Sequence, residues 1–427
     1  MKIKIIEKSY AEVMALPIPK HRKPKRIGLF FRTLIKLLSA FNLGRYHIRY
    51  DEHGMERLGK GEPCMILMNH SSFIDMQIAA NYLFPRPFST VCTTDAYVSK
   101  AWLMRAIGCI PTQKFVSDLT LIKDMEYALK ALKSSVLMYP EAGYCFDGTA
   151  SLLPDSLGRL IKHLDVPVVT IITRGAFSRE PLYNMLRHRQ VDIGADVTYQ
   201  LSREQIREST AEQLNEVIRE AFSFDNFKWQ QENGVVIDED FRADGLERVL
   251  YKCPHCLGEG VTEGCGTHLR CHQCGKIYEL TPLGFLQAED GEGAFRHVPD
   301  WYAWEREEVK KEIRSGEYRL DTDVEIYMLV DYKGLYHVGD GRLVHSEEGF
   351  HLTGCDGDLD YKQAPLSAHS LNADYYWYEL GDVISIGNKK HLFYCFPKGE
   401  HVIVAKTRMA AEELYKIKRR GRAEGTD

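Results

Sequence analysis

Apolar positions fall into two regimes in the first half of the chain. Between residues 27 and 41 they recur at three- and four-residue steps, at Ile27, Phe30, Phe31, Leu34, Ile35, Leu38 and Phe41. Arg32, Thr33, Lys36 and Ser39 fill most of the other side. That period predicts an amphipathic helix. From Pro63 onward, short continuous apolar runs alternate with helical patterns. Residues 64–68, 90–93, 109–112, 135–138 and 166–172 read as strands; 73–83, 99–107 and 119–132 read as helices. The alternation predicts an α/β domain over about residues 45–222, a mixed or parallel sheet covered by helices. In such folds ligands bind at the carboxyl ends of the strands, so the turns after them are where chemistry is expected.

The second half reads differently. An acidic, aromatic-containing connector (223–249) leads to a cysteine-rich stretch (250–282) and then to residues 283–427. There a helix is expected over 301–314, with Asp300 as its N-cap. Runs at 324–330, 334–338, 349–352, 374–379, 391–396 and 401–404 then read as strands punctuated by Gly, Asp and Asn, and a last helix covers about 407–418. Six or seven strands followed by one helix loosely resemble a pleckstrin-homology-like or GRAM-like barrel, in order of elements only.

Composition excludes several classes. With 44% hydrophobic and 27% charged residues, the chain is neither disordered nor collagenous nor a disulfide mini-protein. Its 55 basic and 60 acidic side chains leave a net charge of −5, so no overall basic field recruits nucleic acid. Eleven cysteines, an odd number, suit a reducing compartment with free thiols or metal. No apolar run approaches the roughly 18 residues of a membrane-spanning helix. The first apolar stretch is cut by Lys4 and followed by Glu7, unlike a signal peptide. Local charge is less even. No acidic residue occurs between Glu12 and Asp51, where Lys20, Arg22, Lys23, Lys25, Arg26, Arg32, Lys36, Arg45 and Arg49 gather. A basic cluster beside an aromatic-rich amphipathic helix suits an anionic membrane surface, at about 1 kcal/mol per base near the lipid. Residues 1–44 are therefore expected to hold a cytoplasmic protein peripherally on the inner face of a membrane.

The candidate chemistry begins after the first buried run, at Asn69-His70-Ser71-Ser72-Phe73-Ile74-Asp75. A histidine with a carboxylate can activate a hydroxyl: imidazole takes the proton and the acid fixes the tautomer. Five residues apart on one helix, the two side chains would diverge by about 140°. They meet only if His70 lies on the turn before a helix that contains Asp75, with Ser71 or Ser72 as N-cap. Spacing alone is weak, since His351/Asp356 and His369/Asp374 repeat it in loops of the distal half. Context selects the first pair.

His70-x4-Asp75, then Gly108-Cys109-Ile110-Pro111, Tyr139-Pro140-Glu141 and Val166-Pro167-Val168-Val169, resembles the four ordered blocks of the glycerolipid acyltransferases, the 1-acylglycerol-3-phosphate acyltransferase-like enzymes. The resemblance covers about residues 45–205. It implies transfer of a fatty acyl group from a thioester, acyl-CoA or acyl-ACP, to a lipid hydroxyl, without an acyl-enzyme and without a catalytic metal. It implies His70 as general base, Asp75 as its orienting partner, and substrate-binding positions at Lys114, Glu141, Ala142 and Gly143, with Glu141 hydrogen-bonded to the acceptor. Two blocks depart from the pattern. The third usually reads Glu-Gly-Thr-Arg and here reads Glu141-Ala142-Gly143-Tyr144. The second usually ends in arginine, where the nearest base here is Lys114. Lysine meets phosphate without the bidentate fork, which puts a glycerol-phosphate acceptor in question.

Cys253-Pro254-His255-Cys256 and Cys271-His272-Gln273-Cys274 are two Cys-x2-Cys knuckles separated by 14 residues. A hairpin between them would bring four thiolates into a tetrahedral shell, the ligand set of one structural zinc ion. Gly275 permits the second turn, and Lys276 can offset thiolate charge. His255, Cys265 and His272 are spare. Glu259, Glu263 and Glu279 around this ribbon argue against nucleic acid and for a folding staple or interaction module. The reading is a membrane-surface acyltransferase acting on a lysophospholipid or related lipid acceptor. The competing reading is a catalytically silent lipid-binding adaptor whose ribbon and C-terminal domain recruit partners.

Overall fold

A computed structural model describes residues 2–44, 48–116, 118–399 and 403–424; Arg45 of the basic stretch lies outside them. The chain opens with a short strand, β1 (Ile5–Glu7), and an amphipathic helix, Leu29–Leu43. Seven strands follow: β2 (Arg49–His53), β3 (Met65–Met68), β4 (Phe88–Thr93), β5 (Ile110–Thr112), β6 (Ser135–Met138), β7 (Val168–Arg174) and β8 (Gly194–Leu201). They form one sheet in the order β2-β8-β7-β3-β6-β4-β5. All neighbours are parallel except β7 and β8, so the sheet is mixed.

The central strands are buried on both faces. Ile66 and Met68 pack with Ile78, Ala79 and Leu83 of the Asp75–Leu83 helix. Met65 and Leu67 pack with Met125 and Leu129 of the Leu119–Lys130 helix on the other side. Two-sided burial explains why these strands read as unbroken apolar runs. Strands β2 and β8 were not foreseen. The Arg-Tyr-Asp-Glu-His sequence of β2 is an edge with no apolar face, and β8 alternates half-buried and buried positions.

Four short strands, β9 (Thr262–Cys265), β10 (His268–Cys271), β11 (Ile277–Leu280) and β12 (Leu286–Ala288), build an antiparallel sheet in the order β12-β11-β10-β9. The Val298–Ser315 helix packs on it: Trp301 is buried, stacks edge-on against Tyr278 and donates its indole N–H to the Lys252 carbonyl at 2.9 Å. Asp300 lies inside that helix's first turn and His297 holds the cap position, because the helix starts earlier than expected, around Pro299.

The last sheet follows the path β16-β15-β14-β13-β19-β18-β17. Its strands are β13 (Leu320–Leu329), β14 (Leu335–Ser346), β15 (Gly349–Gly354), β16 (Leu359–Gln363), β17 (Asn372–Trp377), β18 (Gly381–Gly387) and β19 (Leu392–Pro397). Strand β1 joins β14 in parallel. Of the strand expected over 401–404, residues 401 and 402 lie outside the described residues, and Ile403 and Val404 instead open the Ile403–Glu424 helix. Its β-branched residues favour strand locally, but Val404, Ala405, Met409, Ala410 and Leu414 are buried at helical steps, and packing overrides propensity.

Candidate active site and metal cluster

His70 follows β3 and Glu141 follows β6, and these strands are neighbours, so both residues stand at the carboxyl edge of the sheet. Asp75 opens the helix after the His70 turn and is fully buried. Its Oδ2 accepts three hydrogen bonds: from the backbone N–H of Ser71 at 2.7 Å, from that of Ser72 at 3.0 Å, and from His70 Nδ1 at 3.0 Å. The expected serine cap is therefore inverted. Neither serine side chain caps the helix; the Asp75 carboxylate gathers their amides, fixing the turn and the imidazole together. With Nδ1 donating to Asp75, Nε2 is the nitrogen left to accept a proton.

Two aromatic rings clamp the imidazole. Tyr139 stacks on it at 4.1 Å between centroids and Tyr144 lies over it at 4.1 Å, with interplanar angles of 23° and 31°. Phe73 extends the stack beyond Tyr144 at 5.8 Å. Tyr144 stands where the third block's arginine is expected. An aromatic there packs on the imidazole and holds the ring plane. Neither tyrosine was singled out from sequence, although both flank Glu141.

Glu141 was expected to bind acceptor, yet it is buried and its oxygens hold the scaffold. Oε1 accepts the His70 amide at 3.2 Å and Oε2 the Ser151 amide at 2.6 Å. Burial pushes its carboxyl up to about 7, against the opposing pull of those two amides and Arg408. Ala142 carries a φ of +54°, a left-handed conformation that suits the glycine usual at that place in the block. Gly143 faces Arg408: a Cβ there would lie 4.0 Å from the guanidinium. Arg408 donates to the Tyr144 carbonyl at 3.0 Å and lies over the Phe146 ring at 4.6 Å.

Lys114 follows β5 and meets a residue of the distal half, Asp374 of β17, at 3.6 Å. The distal sheet and its last helix thus border the His70 turn. Further ties on that side are Tyr378 to Asp95 at 2.9 Å, Lys389 to Asp118 at 2.6 Å, and His369 packed edge-on against Phe115. Of the two dismissed His-x4-Asp pairs, His351 bonds Asp360, while Asp374 reaches the site without pairing to His369. Only the docking of distant segments reveals this.

The four knuckle cysteines converge. One sulfur from each lies within 4.8 Å of every other, with Cys253–Cys274 at 3.7 Å and Cys256–Cys271 at 3.6 Å. A tetrahedral ion with metal–sulfur bonds of about 2.3 Å requires sulfurs about 3.8 Å apart, so the set fits one metal ion. Amides of His255 and Cys256 point at Cys253, and those of Gln273 and Cys274 at Cys271, the arrangement that supports thiolates. Gly275 takes a φ of +75° after the second knuckle. The spare histidines are engaged elsewhere, His255 with Tyr278 and His272 with Glu263. Lys276, expected to offset thiolate charge, pairs with Asp290 at 2.6 Å.

Comparison with known proteins adds the following. Residues 49–174 match the family model described as Acyltransferase. No curated protein matches. Among solved structures, the chain is similar to the 1-acyl-sn-glycerophosphate (LPA) acyltransferase PlsC from Thermotoga maritima, at 14% identity, covering 45% of this chain and 77% of that one, with a TM-score of 0.35. Residues 49–174 are thus an acyltransferase domain.

Proposed function

We infer that the protein transfers a fatty acyl group from a thioester, acyl-CoA or acyl-ACP, to the hydroxyl of a lysolipid or related lipid alcohol at a membrane surface. The observation that carries this reading is the Asp75 carboxylate, which accepts from His70 Nδ1 and from the Ser71 and Ser72 amides of the same turn and so aims the other imidazole nitrogen away from its anchor, within a matched acyltransferase domain. His70 Nε2 removes the acceptor's hydroxyl proton as that oxygen attacks the thioester carbonyl carbon. The tetrahedral adduct collapses, the carbon–sulfur bond breaks, and the imidazolium returns the proton to the leaving thiolate. Asp75 holds the tautomer, Tyr139 and Tyr144 hold the plane, and Glu141 fixes the backbone beneath, acting as a positioning residue.

The Leu29–Leu43 helix supports the membrane part. Ser39 and Leu43 are buried on one side, while Phe30, Leu34, Leu37, Leu38 and Phe41 are exposed across the opposite half and Leu29 is exposed at the helix start. Lys20, Arg22, Lys23, Lys25 and Arg26 are also exposed, on a segment anchored by buried Pro24 and Ile27. Apolar side chains in water beside a basic cluster suit insertion at an anionic lipid interface. Among the described residues no helix is long and apolar enough to cross a membrane. The four-cysteine shell is read as holding one structural zinc ion that staples the ribbon.

The test is acyl transfer from labelled acyl-CoA and acyl-ACP to a panel of lysolipids. His70→Ala is expected to lower turnover by about 100-fold or more, the share of a general base. Full activity in that variant would remove His70 from the chemistry. A wild type inert with every donor and acceptor would leave the adaptor reading in place.

A further inference from the structure

Lys114 is the base nearest the second block, and it does not face the site alone. Asp374, brought in by β17 from outside the matched domain, places Oδ2 at 3.6 Å from Lys114 Nζ, longer than an ordinary hydrogen bond. Both side chains are largely buried, so the pair is little screened by solvent. The other oxygen of Asp374, Oδ1, is buried without a hydrogen-bond partner. A buried acceptor atom left unsatisfied is costly, and a ligand that donates to it recovers that cost. Burial raises the Asp374 carboxyl, while Lys114, Arg408 and the His70 imidazole favour its charged form, so Asp374 lies within electrostatic reach of the base. Tyr144, stacked on His70, feels both Asp374 and Asp75. The cation balance is poor for a dianion: Lys114 is matched by Asp374, and Arg408 is matched by Glu412 and bonded to the Tyr144 carbonyl.

We propose that Asp374 and Lys114 together select the acyl acceptor, excluding a phosphate monoester beside the reacting hydroxyl and favouring a lipid alcohol that carries a hydrogen-bond donor there, a second hydroxyl or an ammonium. This deepens the acyltransferase reading and rests on it for the identity of the reaction. A phosphate dianion brought to Lys114 must compete with Asp374 and is repelled by it; a hydroxyl or ammonium donates to the free Oδ1 and leaves the ion pair intact. The selecting carboxylate therefore belongs to the distal domain, which makes that domain part of the acceptor site.

The experiment compares kcat/KM for lysophosphatidic acid, monoacylglycerol and lysophosphatidylethanolamine as acceptors in wild type, Asp374→Asn, Lys114→Met and the double variant. Wild type is expected to favour the latter two acceptors, separating hydroxyl from ammonium donors by their ratio. Asp374→Asn frees Lys114 and is expected to raise the lysophosphatidic acid to monoacylglycerol ratio by about tenfold or more, the scale of one charge-assisted contact. The double variant should lose that gain, an outcome a merely structural role for Asp374 would not produce. Calorimetric titration of wild type with short-chain forms of the same acceptors, without acyl donor, reads the preference independently of turnover and of how well the variants fold. A wild type that binds or uses lysophosphatidic acid best, or a ratio in Asp374→Asn within about twofold of wild type, overturns the proposal. Absent turnover with the binding preference intact would instead count against the proposed reaction alone.

Discussion

Replacing Phe30, Leu37 and Leu38 together by glutamine tests whether the exposed side of the Leu29–Leu43 helix meets lipid. These side chains are 73%, 62% and 63% exposed, together about two whole apolar side chains standing in water. Full removal of such a side chain from water is worth about 1.5–3 kcal/mol, so complete immersion of the three would contribute about 4 kcal/mol. Half-immersion at the headgroup boundary leaves about 2 kcal/mol, a roughly 30-fold change in partition coefficient. Glutamine keeps helix propensity, and the opposite side, with Ser39 and Leu43 packed, is untouched. Fold stability should therefore change by no more than about 0.5 kcal/mol. The assay is co-sedimentation with phosphatidylcholine vesicles with and without phosphatidylserine, read across a salt series. Added salt should weaken wild type and variant by the same factor, because the bases from Lys20 to Arg26 remain. A triple variant that binds as tightly as wild type would refute the argument, since no other property of these positions was altered.

Three further outcomes follow from the geometry. Tyr144→Phe should keep near-normal turnover, whereas Tyr144→Ala should lower kcat by about tenfold, the value of one desolvated ring over an imidazolium; equal damage in both would shift the role to the hydroxyl. Purified protein should carry about one zinc per chain, and Cys253→Ser with Cys256→Ser should lose it along with the protease resistance of residues 250–282, so retained metal would sink the four-thiolate assignment. His345 is buried against Phe350 and bonds Tyr318 at 3.0 Å; burial lowers its pKa to about 3. The unfolded chain then takes the proton first, so stability should hold above about pH 6.5 and fall by about 2 kcal/mol on acidification to about pH 5. His345→Leu should flatten that part of a denaturation–pH profile, and an unchanged slope would show that the acid sensitivity arises elsewhere.

What could be read from the chain was local. The His70 turn, the third block and the two cysteine knuckles are contiguous segments at strand ends or hairpin turns, where spacing dictates geometry. The central strands were legible because burial on both faces leaves unbroken apolar runs. Strand β2 was not, since an edge strand of Arg, Tyr, Asp, Glu and His has no inward period. The Ile403–Glu424 helix was entered too late because β-branched residues at its start speak for strand until their partners on the Val298–Ser315 helix are known. Asp374 lay furthest from view. Its distance in sequence from Lys114 gives no periodic signal, and its spacing from His369 is an accident that carries none either.

The two departures in the third block are linked through the distal helix. With tyrosine in place of arginine, the block carries no cation of its own and sets an aromatic ring on His70. Arg408 approaches the same loop from the far end of the chain, yet its guanidinium is committed to the Tyr144 carbonyl, the Phe146 ring and Glu412. Glu412, held at about 2 chiefly by Arg306 and Arg408 against its burial, also accepts from Ser370 at 2.6 Å. A buried, mutually neutralised arginine orders backbone and offers little to an incoming phosphate. The distal domain therefore replaces the missing side chain as a support for the loop, while the two cations described beside it, Lys114 and Arg408, each face a carboxylate. That is the physical ground for the proposed mismatch between a phosphate-monoester acceptor and this site, and it requires the His70 turn, the Tyr144 loop and Asp374 to act as one site.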